Sequence, residues 1–321
     1  MIKGFRVVHG VIGMNRRDFI GGIGGLVAMS ALPAVGASKR ATAMSVNYIS
    51  LPVGAERPFT VFHISDTHLK GLAPTDTEAV RRHLAPRFAG YDPEEALADS
   101  IDWAQRHRCD YLLHTGDLID CATDGNVALL KKFFGNADNI LYAPGNHEYA
   151  TDYAAPRPPQ TEAEFRAINT AKVQSVVPED MQFHAMVLHG VNFVMMDDVY
   201  GTVSPIAVER FHAEARKGLP IVLCQHVPFF SPGIALAHAR SHMSDRALAE
   251  LIVPIGSRDF KRQAEDKVTA DFIRYLKSEP LLKAILSGHY HCEMSDRFSP
   301  TAMQYVAGAN FRHVGQEIMI Y

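Results

Sequence analysis

The chain has 321 residues, of which 47% are hydrophobic and 21% charged, and its formal net charge is −3. This apolar content is too high for intrinsic disorder, and a slightly acidic chain lacks the basic surface typical of proteins that bind nucleic-acid polymers. The length suits one large α/β domain or two modest ones. The chain has 16 histidines beside only 4 cysteines. Because histidine is the commonest metal ligand, the positions of these residues decide which chemistry is available.

The first 37 residues have the pattern of a secretory signal peptide. Arg16 and Arg17 precede an apolar stretch rich in glycine and alanine, and the small residues Val35 and Ala37 fit a cleavage site after Ala37. The paired arginines make the segment resemble a twin-arginine signal, although Asn15 departs from the usual motif. We therefore expect export of the folded protein by the twin-arginine machinery, to the periplasm of a bacterium or to the medium.

The alternative to cleavage is a membrane anchor, but the glycines of this segment and Pro33 make it a poor span. Met14 is an alternative start of the chain. The predicted organisation is a signal peptide over 1–37, a linker over 38–57 and one domain over 58–321, with no stable membrane span after cleavage.

Five short apolar runs each end at a polar cluster, a pattern that indicates buried strands of an α/β sheet. The runs cover 58–64, 111–113, 140–143, 221–224 and 284–286. Helical patterns lie between them, over 93–107 with Asp92 as the N-cap, 127–134, 162–168, 205–217 and 266–278. In such βα alternation ligands bind beyond the carboxyl ends of the strands. We therefore expect the five polar clusters to converge on one site.

The clusters supply a mixed set of oxygen and nitrogen donors, which suits Zn, Mn or Fe. The donors are Asp66, His68, Asp117, Asn146, His226, His289 and His291. Seven donors are too many for one tetrahedral ion, and this favours two ions about 3.5–4 Å apart that share a carboxylate. Such a pair clamps the attacking and leaving oxygens of a phosphoryl displacement. Glycines 116, 145 and 288 allow sharp backbone turns beside the donors.

The order of these residues resembles the motif set of the calcineurin-like metallophosphoesterases. The motifs are Asp66-x-His68, Gly116-Asp117, Gly145-Asn146-His147-Glu148, His226 before Pro228, and Gly288-His289-x-His291. Each motif alone is weak, whereas five in order at strand ends are specific. The resemblance implies an α/β fold of four αββα layers, a double β-sandwich flanked by helices.

The resemblance also implies roles for individual residues. One metal would bind Asp66, His68, Asp117 and His291, and the second would bind Asp117, Asn146, His226 and His289, with Asp117 as the bridge. A hydroxide between the ions would attack phosphorus in line. His147 would protonate or stabilise the leaving oxygen. The partner implied is a small phosphoester.

At several positions this sequence departs from the motifs of particular branches of the family, which reduces the number of branches that it can belong to. Asp120 is followed by Cys121 and Ala122, whereas phosphoprotein phosphatases have Asp-Arg-Gly there, and purple acid phosphatases have a tyrosine in place of Asp120. Glu148 replaces the aspartate of cyclic-nucleotide phosphodiesterases and is expected to keep a hydrogen bond to a neighbouring ligand. Monoesterase, diesterase and cyclic-nucleotide phosphodiesterase activities stay open. A non-catalytic metal-binding scaffold is the alternative from another class, and the complete donor set disfavours it.

Other residues receive weaker predictions. His63 and His114 are expected to be buried and hydrogen-bonded rather than ligands, and His238 and His242 to lie on the solvated face of a helix within 234–251. Arg157, which borders the site in sequence, is expected to be solvated. His184, His189 and His313 are placed in hairpin strands, and 303–306 and 317–320 are predicted strands that complete the second sheet. We favour free thiols, or at most one disulfide between Cys109 and Cys121.

Overall fold

The computed structural model describes residues 43–135, 139–150, 162–242 and 258–321. The strands in these ranges are β1 (Ser45–Leu51), β2 (Phe59–Ile64), β3 (Tyr111–His114), β4 (Ile140–Tyr142), β5 (Phe183–Leu188), β6 (Val191–Met196), β7 (Ile221–Cys224), β8 (Leu282–Ser287), β9 (Met294–Arg297), β10 (Met303–Val306) and β11 (Val314–Ile320). The helices are α1 (Glu78–Leu84), α2 (Pro93–Arg106), α3 (Asp124–Gly135), α4 (Asn146–Tyr149), α5 (Glu162–Gln174), α6 (Pro205–Ala215), α7 (Pro232–His242), α8 (Arg258–Glu265) and α9 (Lys267–Leu276). The predictions for 1–37 and Arg157 lie outside the described residues.

Two sheets organise the domain. The first has the strand order β1-β11-β2-β3-β4, and the second has the order β5-β6-β7-β8-β10-β9. Strands β2, β3 and β4 run parallel, as do β6, β7 and β8. Because parallel strands end at the same edge of a sheet, the loops after them lie side by side.

The alternation of side chains along the strands builds four layers. Phe62 in β2 packs against the helices outside the first sheet, whereas its neighbour Val61 packs between the two sheets. Val222 in β7 also lies between the sheets, and Leu223 packs with residues of α6 and α9 on the far side. The order of layers is thus helices, sheet, sheet and helices, which confirms the predicted αββα double β-sandwich flanked by helices.

The start of α2 shows how the sequence encodes a helix end. The Asp92 side chain accepts a hydrogen bond from the Glu95 backbone N–H at 3.1 Å, and Pro93 occupies the first turn. Leu97 and Ile101 are fully buried against the first sheet. The predicted N-cap and apolar face are confirmed.

The two ends of the domain differ from the prediction. The sequence predicts a linker over 38–57, but Ser45–Leu51 form β1, which pairs in parallel with β11. β10 joins the second sheet as predicted, whereas β11 lies in the first sheet beside β2. The strand is held there by its ladders with β1 and β2 and by the turn before it, where the Asn310 N–H donates to the carbonyl of Ser65, the residue after β2, at 2.8 Å.

Smaller predictions are partly confirmed. His184 lies in β5, but His189 and His313 have φ values of 49° and 58°, which place them in turns rather than strands. Cys109, Cys121, Cys224 and Cys292 are free thiols. Among the helices that the structure describes, none combines the length and apolar character needed to cross a membrane.

Candidate metal centre

The polar clusters that follow the parallel strands meet at one edge of the sandwich, where the loops of both sheets are hydrogen-bonded. His226 Nδ1 lies 2.7 Å from the carbonyl oxygen of Thr115, and the His289 N–H donates to Asp66 Oδ2 at 2.9 Å. Asp66 and His68 follow β2, Asp117 follows β3, Asn146 follows β4, His226 follows β7, and His289 and His291 follow β8.

One group of donors consists of Asp66, His68 and His291. The Nε2 atoms of His68 and His291 are 3.0 Å apart, and Nε2 of His291 is 3.3 Å from Asp66 Oδ1. Two nitrogens that each bind one ion at about 2.0–2.1 Å stand about 3 Å apart. The spacing therefore suits a shared cation.

A second group consists of Asp117, His226 and His289. Nε2 of His226 lies 3.3 Å from Asp117 Oδ2 and 3.2 Å from Nδ1 of His289. The ligand atoms of each of these two groups all lie within 4.8 Å of one another. The two groups are thus separate clusters, each large enough to hold one ion.

Asp117 belongs to the second group and also faces the first. Its Oδ2 atom is 3.7 Å from His68 Nε2 and 3.3 Å from His226 Nε2, so one oxygen faces a histidine of each group. Its Oδ1 atom accepts a hydrogen bond from the His147 N–H at 2.9 Å. This hydrogen bond fixes the orientation of the carboxylate between the groups.

Among the buried oxygens that have no hydrogen-bond partner in the described ranges are two from the predicted donor set. They are Oδ1 of Asp66 and Oδ1 of Asn146. A buried polar atom without a partner costs free energy, unless it binds something else. Together with the mixed nitrogen and oxygen donor set, these oxygens fit hard or borderline metal ions.

Several of the predicted ligands have a backbone conformation in the left-handed region, which is sterically unfavourable for residues other than glycine. In the described ranges ten non-glycine residues have positive φ, and five of them are the predicted ligands Asp66, His68, Asp117, His289 and His291, with φ between 54° and 73°. Such conformations cluster at functional sites, where the surroundings hold them in place.

The surroundings of Gly116 and Gly288 show why glycine occurs at the predicted turns. Gly116 has a φ of 90°, in the left-handed region that glycine tolerates. At Gly288 an added Cβ atom would lie 1.8 Å from Ser65 Oγ and 2.6 Å from Asp66 Oδ2. The absence of a side chain there lets the loop after β8 approach the loop after β2.

Asp120 connects His68, His147 and Arg87. Its Oδ1 atom lies 3.1 Å from His68 Nδ1, and its carbonyl oxygen lies 2.7 Å from His147 Nδ1. Arg87 donates to both carboxylate oxygens of Asp120, at 2.6 and 2.9 Å. The geometry fixes both imidazole rings and turns their Nε2 atoms toward Asp117.

Glu148 is fully buried and accepts hydrogen bonds from backbone N–H groups on both sides of the site. Oε2 accepts from Asp117 at 2.9 Å and from Gly145 at 2.6 Å, and Oε1 accepts from Leu118 at 2.8 Å. The hydrogen bond expected for Glu148 is therefore present. It joins the loop after β3 to the loop after β4.

Two further carboxylates hold the histidines of the second group. Asp198 Oδ1 accepts from the His226 N–H at 3.0 Å, and Asp259 in α8 lies 3.1 Å from Nε2 of His289. Because Nε2 of His289 faces Asp259, its Nδ1 atom faces His226, another member of the second group.

The charges of the cluster attract one another strongly. Burial opposes ionisation of Asp117, but the neighbouring histidines outweigh it and hold the pKa of Asp117 well below its usual range. Burial likewise opposes protonation of His226, yet Asp117 and Asp66 raise its pKa to about 10. The pKa of His147 is raised to about 9, because Asp117 and Asp120 together outweigh its burial. The site thus has the negative potential that a cation needs.

The remaining histidines lie outside the two groups. His63 and His114 are fully buried and bond to Thr115 and Thr67 at 2.8 and 2.9 Å, as expected for buried, hydrogen-bonded residues. His238 stacks on Tyr290, with ring centroids 4.0 Å apart, rather than lying on a purely solvated face. The side chain of His242 lies outside the described residues.

Sequence reasoning missed the supporting residues Arg87, Asp198 and Asp259. None of them belongs to a motif, and each reaches the site through the fold. The sequence indicates a role for Asp120 only weakly, through its position three residues after Asp117 in the same loop. Its contacts with His68 and His147 depend on how the loops after β2 and β4 pack.

Solved structures of similar architecture include a dimetal phosphatase from Danio rerio, at 13% identity over 81% of this chain and 89% of that chain, with a TM-score of 0.48. A phosphopantetheinyl hydrolase from Mycobacterium tuberculosis is 18% identical over 79% of this chain and 90% of that chain, with a TM-score of 0.41. A putative 5′-nucleotidase from Staphylococcus aureus is 14% identical over 79% of this chain and 49% of that chain, with a TM-score of 0.41. No protein of curated function matches the sequence significantly.

A family model identifies the chain by sequence. The model of the calcineurin-like phosphoesterases matches residues 59–293, which include every predicted ligand from Asp66 to His291. The match covers well over half of the chain, and the two sheets with their helices agree with the fold that the resemblance implied. The chain therefore belongs to the calcineurin-like phosphoesterase family and is a metallophosphoesterase, an enzyme that hydrolyses phosphate esters.

Proposed function

We propose that the protein is a two-metal hydrolase of small phosphate esters in which Asp117 supplies the carboxylate shared by both ions. The observation that carries this proposal is the position of Asp117 Oδ2, which faces His68 at 3.7 Å and His226 at 3.3 Å. A shared carboxylate is the usual way to hold two ions at the separation that phosphoryl transfer uses.

The proposed ligands divide between the two ions. The first ion would be held by Asp66, His68, Asp117 and His291, and the second by Asp117, Asn146, His226 and His289. The unpartnered Oδ1 atoms of Asp66 and Asn146 support this division, because each belongs to a different set. Zn, Mn and Fe all suit these donors.

The bound ions would supply a water of lowered pKa as the nucleophile and would neutralise charge on the phosphoryl oxygens. The residues of the chain orient the reaction. Asp120 holds His68 and His147 through their Nδ1 atoms, at 3.1 and 2.7 Å. Asp198 accepts the backbone N–H of His226 at 3.0 Å, and Asp259 lies 3.1 Å from the ring Nε2 of His289.

We assign His147 to proton donation toward the leaving oxygen. Its Nδ1 atom is engaged by the Asp120 carbonyl, and its Nε2 atom lies 3.8 Å from Asp117 Oδ2, on the side of the proposed ions. The negative charges of Asp117 and Asp120 favour its protonated form, which a general acid requires. The side chain is 14% exposed, so a substrate atom can approach it.

We also propose that the protein is exported folded, after which its segment 1–37 is removed. Arg16, Arg17 and the small residues before position 38 support this proposal. Acquisition of metal in the cytoplasm before export would fit this route. N-terminal sequencing of the protein from the periplasm or the medium tests it, since a chain that begins at Met1 or Met14 would contradict cleavage.

Metal analysis combined with a substrate panel tests the proposed activity. Protein purified from its own compartment is expected to hold two transition-metal ions per chain and to hydrolyse p-nitrophenyl phosphate, bis(p-nitrophenyl) phosphate or both. The ratio of kcat/KM for the two esters separates a monoesterase from a diesterase, and 2′,3′-cyclic or 3′,5′-cyclic nucleotides extend the test. Two bound ions without hydrolysis of any ester would favour a binding scaffold. Fewer than two ions and no hydrolysis would overturn the proposal.

A further inference from the structure

An aromatic cluster formed by Phe88, Tyr91 and Phe311 borders the first group of donors. The ring of Phe88 lies 4.7 Å from that of His68, and the ring of Phe311 lies 5.3 Å from that of His291, measured between centroids. Phe311 in turn contacts Phe88 at 4.4 Å and Tyr91 at 5.2 Å. The three rings are therefore continuous with the histidines proposed to hold the first ion.

Two members of the cluster reach solvent. Phe311 is only 2% exposed, whereas Tyr91 is 46% exposed and Phe88 is partly exposed. The side chain of His291 is itself 31% exposed. Tyr91 and His291 are thus two accessible side chains that contact the same buried ring, that of Phe311.

The loop that carries Phe88 is fastened to the metal centre. Arg87 makes its two-pronged ion pair with Asp120, whose carboxylate also contacts His68. Lys70 donates to the carbonyl oxygen of Arg87 at 2.8 Å, and the Tyr91 N–H donates to the carbonyl of Phe88 at 2.9 Å. The positions of Phe88 and Tyr91 are thus set by the same side chain that orients His68.

Phe88 adopts a backbone conformation that is unfavourable for its residue type. Its φ is 54°, in the left-handed region that bulky residues avoid. Strained residues of this kind persist where the surroundings hold them, often beside functional sites. The strain at Phe88 places an aromatic ring against a predicted metal ligand.

The alternative explanation is that these aromatic rings only shield His68 from water. It accounts for Phe311, which is buried, and for the contact of Phe88 with His68. It does not involve Tyr91, which contacts Phe311 rather than His68 and keeps 46% of its surface open to a ligand. Arg312 lies over the ring of Phe311 at 5.2 Å and adds a positive charge beside the same surface.

We propose that Phe88 and Tyr91, supported from beneath by the buried ring of Phe311, form a stacking surface for a planar aromatic ring in the organic part of the substrate. The inference rests on the proposed function and narrows its substrate class to phosphate esters of nucleosides or of aryl groups. The phosphoryl group would lie at the two ions while the ring stacks on Tyr91 and the edge of Phe88. Base–aromatic stacking contributes strongly to binding and tolerates different rings.

Matched substrates that differ only in the ring test this inference. The pair for monoesters is adenosine 5′-monophosphate and ribose 5-phosphate, in both of which the leaving oxygen is the 5-oxygen of a ribose. The pair for diesters is thymidine 5′-(p-nitrophenyl phosphate) and its abasic counterpart 2-deoxyribose 5-(p-nitrophenyl phosphate), which share the same leaving phenol. In the Tyr91→Ala variant the ratio of kcat/KM within the hydrolysed pair is expected to fall about tenfold, mainly through KM.

Three further variants control the experiment. Tyr91→Phe keeps the ring and should keep the wild-type ratio, and Phe88→Leu, which retains an apolar cover over His68, should lower it. Tyr48→Ala removes another exposed tyrosine, 63% exposed on β1, and should leave the ratio unchanged. Metal content is measured for each protein, so that a loss of ions is not mistaken for a loss of stacking.

The outcomes separate this inference from the proposed function. If the wild type hydrolyses a pair, and the kcat/KM ratio within that pair is the same in Tyr91→Ala and Phe88→Leu as in the wild type, the stacking surface is overturned. The proposed function is then left intact. A wild-type protein that holds two ions but hydrolyses none of the four esters overturns the proposed function itself.

Discussion

The Nε2 atoms of His68 and His291 face each other at 3.0 Å. The Nδ1–H of His68 is directed at the carboxylate of Asp120, so Nε2 of the neutral ring carries a lone pair. Burial, assisted by the positive charge of His147, lowers the pKa of His68 to about 4 and keeps that ring neutral at pH 7. Without a metal ion this lone pair can accept a hydrogen bond from His291 when Nε2 of His291 carries a proton, whereas a cation held by both rings uses the lone pairs of both nitrogens.

Removal of metal is therefore expected to lower thermal stability. An ion present at a hundred times its dissociation constant stabilises the folded state by about 2.7 kcal/mol, and one kcal/mol shifts the Tm of a domain of this size by about 2–4 °C. Two ions should then raise the Tm by about 10–20 °C over the chelated protein. Calorimetry before and after chelation, followed by addition of zinc or manganese, measures this shift. An identical Tm in both states would show that the cluster holds no stabilising ion.

Replacement of Asp117 by asparagine is expected to affect both ions. The neutral amide removes the charge that faces His68 and His226, and with it the proposed bridge. We expect fewer than two ions per chain and a loss of kcat greater than about 1,000-fold, since the clamp on both reacting oxygens depends on the pair. Elemental analysis and phosphoesterase kinetics check this, with Asp102→Asn, whose side chain is 37% exposed, as the control. Full metal content in Asp117→Asn would rule out a bridging role.

The His147→Ala variant should separate metal binding from turnover. Because His147 is not among the proposed ligands, the variant should retain two ions while kcat falls by about 100- to 10,000-fold. The loss should be larger for esters of aliphatic alcohols than for p-nitrophenyl esters, whose leaving group needs little protonation. Unchanged kcat with an aliphatic ester would remove His147 from this role. His212→Ala provides a histidine control on α6.

The sequence predicts that the proposed donors lie together because their positions follow from one rule of the fold. Asp66, Asp117 and His226 each come two or three residues after a parallel strand, and parallel strands of a sheet end at a common edge. The motifs therefore predict which residues meet, although they belong to strands of two different sheets. The same local reasoning predicts the N-cap of α2, because an Asp-Pro-Glu-Glu start acts within one turn of the chain.

Other features depend on contacts that no local pattern encodes. β11 has the apolar alternation of a strand, but the sheet that it joins depends on its pairing with β1 and β2 and on the turn contact between Asn310 and Ser65. Arg87 and Asp259 likewise reach Asp120 and His289 from segments without motifs. Their roles follow from tertiary packing, so the sequence indicates charged residues there without indicating their partners.

Asp259 is expected to control the affinity of the second ion. Its carboxylate holds Nε2 of His289 at 3.1 Å and so presents Nδ1 to the site. Loss of such a supporting carboxylate typically weakens metal binding by about 10- to 100-fold, and we expect this for Asp259→Ala, with a smaller effect for Asp259→Asn. Competition with a chelator of known affinity measures the change independently of activity.

Helix α8 should stay in place in these variants. Gln263 donates to the Pro228 carbonyl at 2.9 Å and accepts from the Phe230 N–H at 2.8 Å, which anchors the helix without Asp259. Lys261→Ala, at an exposed position of the same helix, is the matched control. Equal affinities in Asp259→Ala and Lys261→Ala would contradict the positioning role.

Glu148→Gln is expected to destabilise the fold around the site. Each carboxylate oxygen of Glu148 accepts backbone N–H groups, among them those of Asp117 and Gly145 at 2.9 and 2.6 Å. A glutamine replaces one acceptor oxygen by an NH2 donor. Because each oxygen accepts two backbone N–H groups, two buried N–H groups then have no acceptor. Each unsatisfied buried group costs about 1–3 kcal/mol, so the loss of two acceptors should lower the free energy of unfolding by about 2–6 kcal/mol. Urea unfolding of the chelated protein measures this, with Glu148→Asp, which keeps both acceptor oxygens, expected to lose less. Equal losses in the two variants would show that side-chain length, rather than the two acceptors, joins the loops after β3 and β4.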